Sequence, residues 1–65
     1  MNTNESTRVQ SVTYSTATGE MTVTYDRPEW VVVDNGTEHR FAKVTDWLAY
    51  ARQIHGWPLA VKTVV

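Results

Sequence analysis

The sequence predicts an α+β fold: a small antiparallel sheet of four to five strands, built from two consecutive hairpins, then one helix and a C-terminal strand, with the single helix packed on one face. Three observations predict it. Asn35-Gly36 lies between two strand-like runs and is the leading short-range sign of a two-residue type I′ turn. Val9 to Ser15 and Glu20 to Asp26, both rich in Val, Thr and Tyr, flank the turn-like Thr16-Ala17-Thr18-Gly19 and suit a pleated surface. Val44, Trp47, Leu48, Ala51 and Ile54 recur at helical spacing and form one apolar stripe.

In chain order, residues 1–7 carry no apolar side chain after Met1 and are expected as a disordered tail, which leaves 8–65 as a single β-β-β-β-α-β domain. Pairing Ser15 with Glu20 sets Tyr14 opposite Met21, Val12 opposite Val23 and Gln10 opposite Tyr25 on one face. Ser11, Thr13, Thr22 and Thr24 then share the other face, and this clean sorting supports the register. Arg27-Pro28-Glu29 is the expected turn into the second hairpin. There Asp34 pairs with Thr37, Val32 with His39 and Trp30 with Phe41 on the core face, while Val33 with Glu38 and Val31 with Arg40 occupy the outer face.

Thr45 is the expected N-cap of the helix, with Asp46 in the first turn, where the dipole favours an anion. Gly56 is placed to adopt the left-handed conformation past the helix end, and Pro58 prevents continuation. Leu59 to Val65 reads as a last strand beside the first, for an order 5-1-2-3-4. The expected core is Val12, Tyr14, Val23, Tyr25, Trp30, Val32, Phe41, Val44, Trp47, Leu48, Ala51, Ile54, Leu59 and Val61.

Size and composition narrow the function classes. A chain of 65 residues buries only about 60% of the surface its unfolded form exposes. It has no cysteine, hence no disulfide framework and no thiolate metal site. A net charge of −1, from six basic and seven acidic residues, argues against a nucleic-acid binder driven by phosphate contacts. No run approaches the roughly 20 apolar residues of a membrane span, and the polar N-terminus does not resemble a signal peptide. The expectation is a soluble, cytoplasmic protein.

Candidate chemistry is sparse. His55 lies at the helix end, where capping the last carbonyls is a common role. His39 shares a face with Asp34, but alternation puts Glu38 on the opposite side, and ligand spacings such as H-E-x-x-H are missing. Gly19, Gly36 and Gly56 are each accounted for by a turn or cap, so no phosphate loop is read. No catalytic residue, cofactor or metal site is expected, and the protein is read as a non-enzyme.

What the core leaves unexplained is apolar character on the outer face. Val31 and Val33 point away from the helix if Trp30 and Val32 point toward it, and on the last strand Ala60 and Val64 point away from Leu59 and Val61. A covered outer face or a docking patch would account for this, and so would stems of Glu38 and Arg40 lying over the two valines. The leading expectation is a small protein-interaction module that docks through the outer face or a strand edge (Val31, Val33, Glu38, Arg40, Val64), with Tyr50 and Arg52 bordering the exposed helix side as a second surface. The partner is a second copy, giving a homodimer, or a larger protein that is bound or inhibited, in the style of small phage or mobile-element proteins. Two alternatives stand beside it: a weak single-stranded nucleic-acid binder using Arg8, Arg40 and Lys43, and a minimal enzyme or metal site involving His39.

Val9-x-Ser11-x-x-Tyr14, Met21-x-Val23-x-Tyr25 and Arg40-Phe41-x-x-Val44 resemble the small KTSC domains. The small-residue and aromatic pattern that follows the helix there is missing here, and an extra valine strand intervenes.

Overall fold

The structure, a computed structural model, describes residues 10–65. The expected tail at 1–7, and with it Arg8 and Val9, lies outside the described residues. Strands β1 (Ser11–Thr16), β2 (Gly19–Asp26), β3 (Glu29–Asp34) and β4 (Thr37–Phe41) are followed by helix α1 (Val44–Ile54) and strand β5 (Ala60–Val64). They form one five-stranded antiparallel sheet in the order β4-β3-β2-β1-β5, with α1 packed against it.

Turn chemistry and alternation set this arrangement. Asn35 and Gly36 have φ of 51° and 88°, the pair of positive values that a type I′ turn requires and that Asn-Gly tolerates best. Trp30 consequently faces Phe41, and Val32 faces His39. In the first hairpin Ser15 pairs with Glu20 as expected, but Thr16 also pairs with Gly19, so the turn is Ala17-Thr18 rather than four residues. Asn35 joins the two turns: its Nδ2 donates to Thr18 Oγ1 at 2.8 Å, and its Oδ1 accepts from the Glu20 amide at 3.2 Å. A Cβ at Gly19 would overlap that Oδ1, which is why the closest approach falls at a glycine.

The cap of helix α1 lies two residues earlier than expected. Lys43 is the N-cap and makes no side-chain capping bond, while Thr45 already lies inside the helix. Asp46 in the first turn and Arg52 in the last complement the dipole. The end is closed by the backbone: the His55 amide donates to Ala51 O at 2.9 Å, and Gly56 takes φ 87°.

The core is Met21, Val23, Val32, Trp47 and Ala51, flanked by Tyr14, Trp30, Phe41, Leu48, Tyr50 and Leu59. Met21 is fully buried although it was not among the expected core residues. Tyr25, Val44, Ile54 and Val61 were expected inside and are exposed. The reason is dimensional. A helix is about 10 Å across with its side chains, while strands repeat every ~4.8 Å, so one helix roofs only about two strands. Here α1 lies over β3 and β4. Val44 and Ile54 sit at its two ends, Val61 lies on β5, which it does not reach, and Tyr25 lies near the far end of β2, beyond the buried Val23.

One face assignment is corrected. The β1–β5 register shifts between Thr13 and Tyr14, so Tyr14 faces Val61 and Val12 faces Val64. The extra residue in β5 turns Val64 to the helix side of the sheet, away from the outer face that strict alternation assigns to it.

Candidate functional site

Helix α1 lies over β3 and β4, and its Trp47 and Ala51 also bury Met21 and Val23 of β2, so that among the described residues the helix-side face opens toward β1, β5 and the Tyr25 end of β2. The opening is a groove of about 410 Å³ lined by Gln10, Val12, Tyr14, Val23, Tyr25, Trp30 and Trp47. Alternation positions each wall. Val12 and Tyr14 project from β1, Val23 and Tyr25 from β2, and Trp30 from β3, all on one side of the pleat. Trp47, one turn into α1, closes the helix side.

The aromatic walls support one another. The rings of Tyr25 and Trp30 are 4.6 Å apart, Trp30 and Trp47 5.9 Å, and Tyr14 and Trp47 6.5 Å, all tilted. Trp57 meets Tyr14 edge-on at 5.4 Å and Trp47 at 6.0 Å. These separations lie in the range in which aromatic pairs gain energy beyond their area. Beside the groove, β5 contributes Val61 and Val64, 56% and 57% exposed, next to Tyr14 and Val12. Among the described residues, none that lines the groove is charged.

The outer face is built differently. Val31 and Val33 do point away from the helix, but Val31 is only 9% exposed. Its register partner Arg40 reaches Glu38 at 2.8 Å and Glu29 at 3.0 Å, with Asp26 at 4.0 Å, all on the same face. These contacts raise the Arg40 pKa, the Glu29 and Glu38 hydrogen bonds first. Farther along, Ser11 and Thr24 join their hydroxyls at 2.7 Å, and Thr13 and Thr22 at 2.9 Å. Lys62 pairs with Glu20. Paired polar groups therefore cover much of this face, and Arg40 points away from the aromatic groove.

A second polar feature ties the helix to the sheet. Asp34, 8% exposed at the end of β3, accepts from Tyr50 Oη at 2.6 Å and from His55 Nε2 at 2.8 Å. His39 Nε2 lies 3.4 Å from the same hydroxyl. Burial pushes the Asp34 carboxyl up, yet the hydrogen bonds from Tyr50 and His55 outweigh it and hold the pKa below the ordinary value. Burial first, then the Asp34 bond and charge, push the Tyr50 hydroxyl up to about 12. The His55 side chain thus binds a carboxylate on the sheet instead of capping helix carbonyls. Among the described residues no group of three or more His, Cys, Asp or Glu is placed to hold a metal ion.

Of the interaction residues read from the sequence, Val31, Val33, Glu38 and Arg40 share the outer face, and Val64 joins the groove side. Tyr50 is half-buried through its bond to Asp34, and Arg52 is exposed on the helix. The structure does not bring these residues into one patch. Sequence reasoning placed the sheet residues of the groove on one face and assigned all the lining residues except Gln10 to the core. Counting strands against the width of a single helix is the signal that would have exposed the opening. Compared with protein-family models, curated proteins and solved structures, the chain matches none. No helix among the described residues is long and apolar enough to cross a membrane.

Proposed function

We propose that this chain is a non-enzymatic, cytoplasmic protein-interaction module that docks through the helix-side groove and its β5 border. The observation that carries the reading is the open groove walled by Tyr14, Tyr25, Trp30 and Trp47, continued by the exposed Val61 and Val64. Aromatic side chains in a concave, uncharged setting provide binding energy at low entropic cost. An inhibitor or adaptor without chemistry of its own needs just such a surface. The single-stranded nucleic-acid alternative has less support, since Arg40 is held by carboxylates on the opposite face from the aromatic rings.

The test is binding of the fluorescent apolar dye 8-anilinonaphthalene-1-sulfonate to dilute, folded protein. Dye uptake is expected, and Tyr25→Lys should reduce it while the far-UV circular dichroism stays the same. Absence of dye uptake by the dilute wild-type protein contradicts the reading.

A further inference from the structure

We infer that Asn35 is a self-modifying site: its side chain cyclises onto the Gly36 nitrogen, loses ammonia and ends as aspartate or isoaspartate, at a rate set by the clamp that Thr18 and Glu20 place on its carboxamide. The inference is independent of the docking reading. Gly36 has no Cβ to shield its nitrogen, and a Cβ built there would meet nothing within 4 Å. Both turn residues are exposed, so water reaches them. Among the described residues the Gly36 amide makes no backbone hydrogen bond, which leaves the attacking nitrogen free. The reaction needs only water. The Gly36 nitrogen gives up its proton and bonds to Asn35 Cγ, while the Cγ–Nδ2 bond breaks and the amide nitrogen departs as ammonia with that proton. Water then opens the five-membered imide. Attack at Cγ gives aspartate, and attack at the backbone carbonyl gives isoaspartate, whose chain runs through the former side chain.

What the fold adds is restraint. The Asn35 amide donates to Glu20 O at 3.0 Å, its Oδ1 accepts from the Glu20 amide at 3.2 Å, and its Nδ2 donates to Thr18 Oγ1 at 2.8 Å. The carboxamide therefore lies against Gly19 of the neighbouring hairpin, in the space a Cβ would take. Cyclisation turns Cγ away from that hairpin and onto the Gly36 nitrogen, so the side-chain bonds to Thr18 and Glu20 must open first. The two products act differently on the turn. Aspartate tolerates the left-handed φ of 51° at this position but has no amide hydrogen to give Thr18. Isoaspartate lengthens the backbone of a two-residue turn, which the type I′ geometry does not accommodate. Either way the link between the two hairpins is released, and the release runs in one direction only.

The deciding experiment is prolonged incubation of the full chain in buffer, with aspartate and isoaspartate at position 35 followed by peptide mapping and mass spectrometry. Wild type, Thr18→Val and Val23→Ala are compared, each shown by circular dichroism to be folded, together with wild type unfolded in urea. Thr18 is exposed, so its substitution spares the fold. Thr18→Val should convert Asn35 faster than the wild type by about two- to tenfold, the factor that one hydrogen bond of ordinary strength represents. Val23→Ala weakens the core away from the turns, keeps the clamp, and should convert at the wild-type rate. The urea-unfolded chain should convert faster than the folded one. An Asn35 that stays an amide in every sample overturns the inference, as does a Thr18→Val variant that converts at the wild-type rate. Equal acceleration by Val23→Ala also overturns it, because global unfolding and not the clamp would then set the rate.

Discussion

Tyr50 Oη donates to Asp34 Oδ2 across 2.6 Å, joining the middle of α1 to the end of β3. His55, just past the helix, binds the same oxygen. Two helix-side donors thus converge on one buried carboxylate. The helix that leaves the groove open is thereby fixed in position over β3 and β4, and the groove wall formed by Trp47 is fixed with it.

Removing one of these donors tests the clasp. Tyr50→Phe keeps the ring against His39 and Phe41, 4.9 and 5.6 Å away, and deletes only the hydroxyl. A hydrogen bond to a charged group is worth about 1.5–3 kcal/mol, and the loss should appear in urea unfolding as a lower midpoint with an unchanged slope. An unchanged midpoint would mean that the bond contributes nothing net.

The same clasp predicts two pH limits. Asp34 has a folded pKa below its unfolded value of 3.8, so its contribution is present above pH 3.8 and lost as pH falls through the folded value. Tyr50 is the opposite case. Its folded pKa is about 12 against 10.0 unfolded, so the protonated hydroxyl favours folding below pH 10 and that contribution is lost as pH rises toward 12. Thermal melts across pH should fall off at both limits, with Asp34→Asn flattening the acid limb and Tyr50→Phe the alkaline one.

The joined turns make a third prediction. Gly19→Ala would displace the Asn35 side chain and with it the bonds to Thr18 and the Glu20 amide. Asn35→Ala removes the same bonds from the other side. Each should destabilise by about 1–2 kcal/mol, and the double variant should cost clearly less than the sum, since the two share one interaction. Additive losses in chemical denaturation would show that the turns act separately.

Core composition gives the fourth. Met21→Ala should cost about 2–5 kcal/mol, as a fully buried side chain does. Ile54→Ala, on an exposed helix end, should stay within about 0.5 kcal/mol. Equal losses would contradict the placement of the helix.

These contrasts mark what was legible in the sequence. The hairpin registers were, because Asn35-Gly36 admits one turn type and because the Ser and Thr of β1 and β2 separate from their apolar neighbours at a period of two. Strand order followed from placing the last strand beside the first. The clasp was not, since Asp34 lies far in the chain from Tyr50 and His55 and each has an ordinary local reading: strand partner of Thr37, helix border, cap. Val64 was assigned to the wrong face because one extra residue in β5 inverts every side chain beyond it, and no residue type announces that bulge. Ile54 and Val44 fit a helical stripe equally well whether or not a strand lies beneath them. The groove residues were seen, but their exposure depends on how far one helix reaches.

The central claim is that the helix-side groove walled by Tyr14, Tyr25, Trp30 and Trp47, and not the outer face, is the docking surface. Titration of the isotope-labelled chain with 8-anilinonaphthalene-1-sulfonate, followed by NMR, tests it most directly, because each residue near the bound dye reports separately. The account predicts dye-induced shifts at Val12, Tyr14, Tyr25 and Trp30. Shifts confined to Val31, Val33 and the outer face, or none at all, would contradict it.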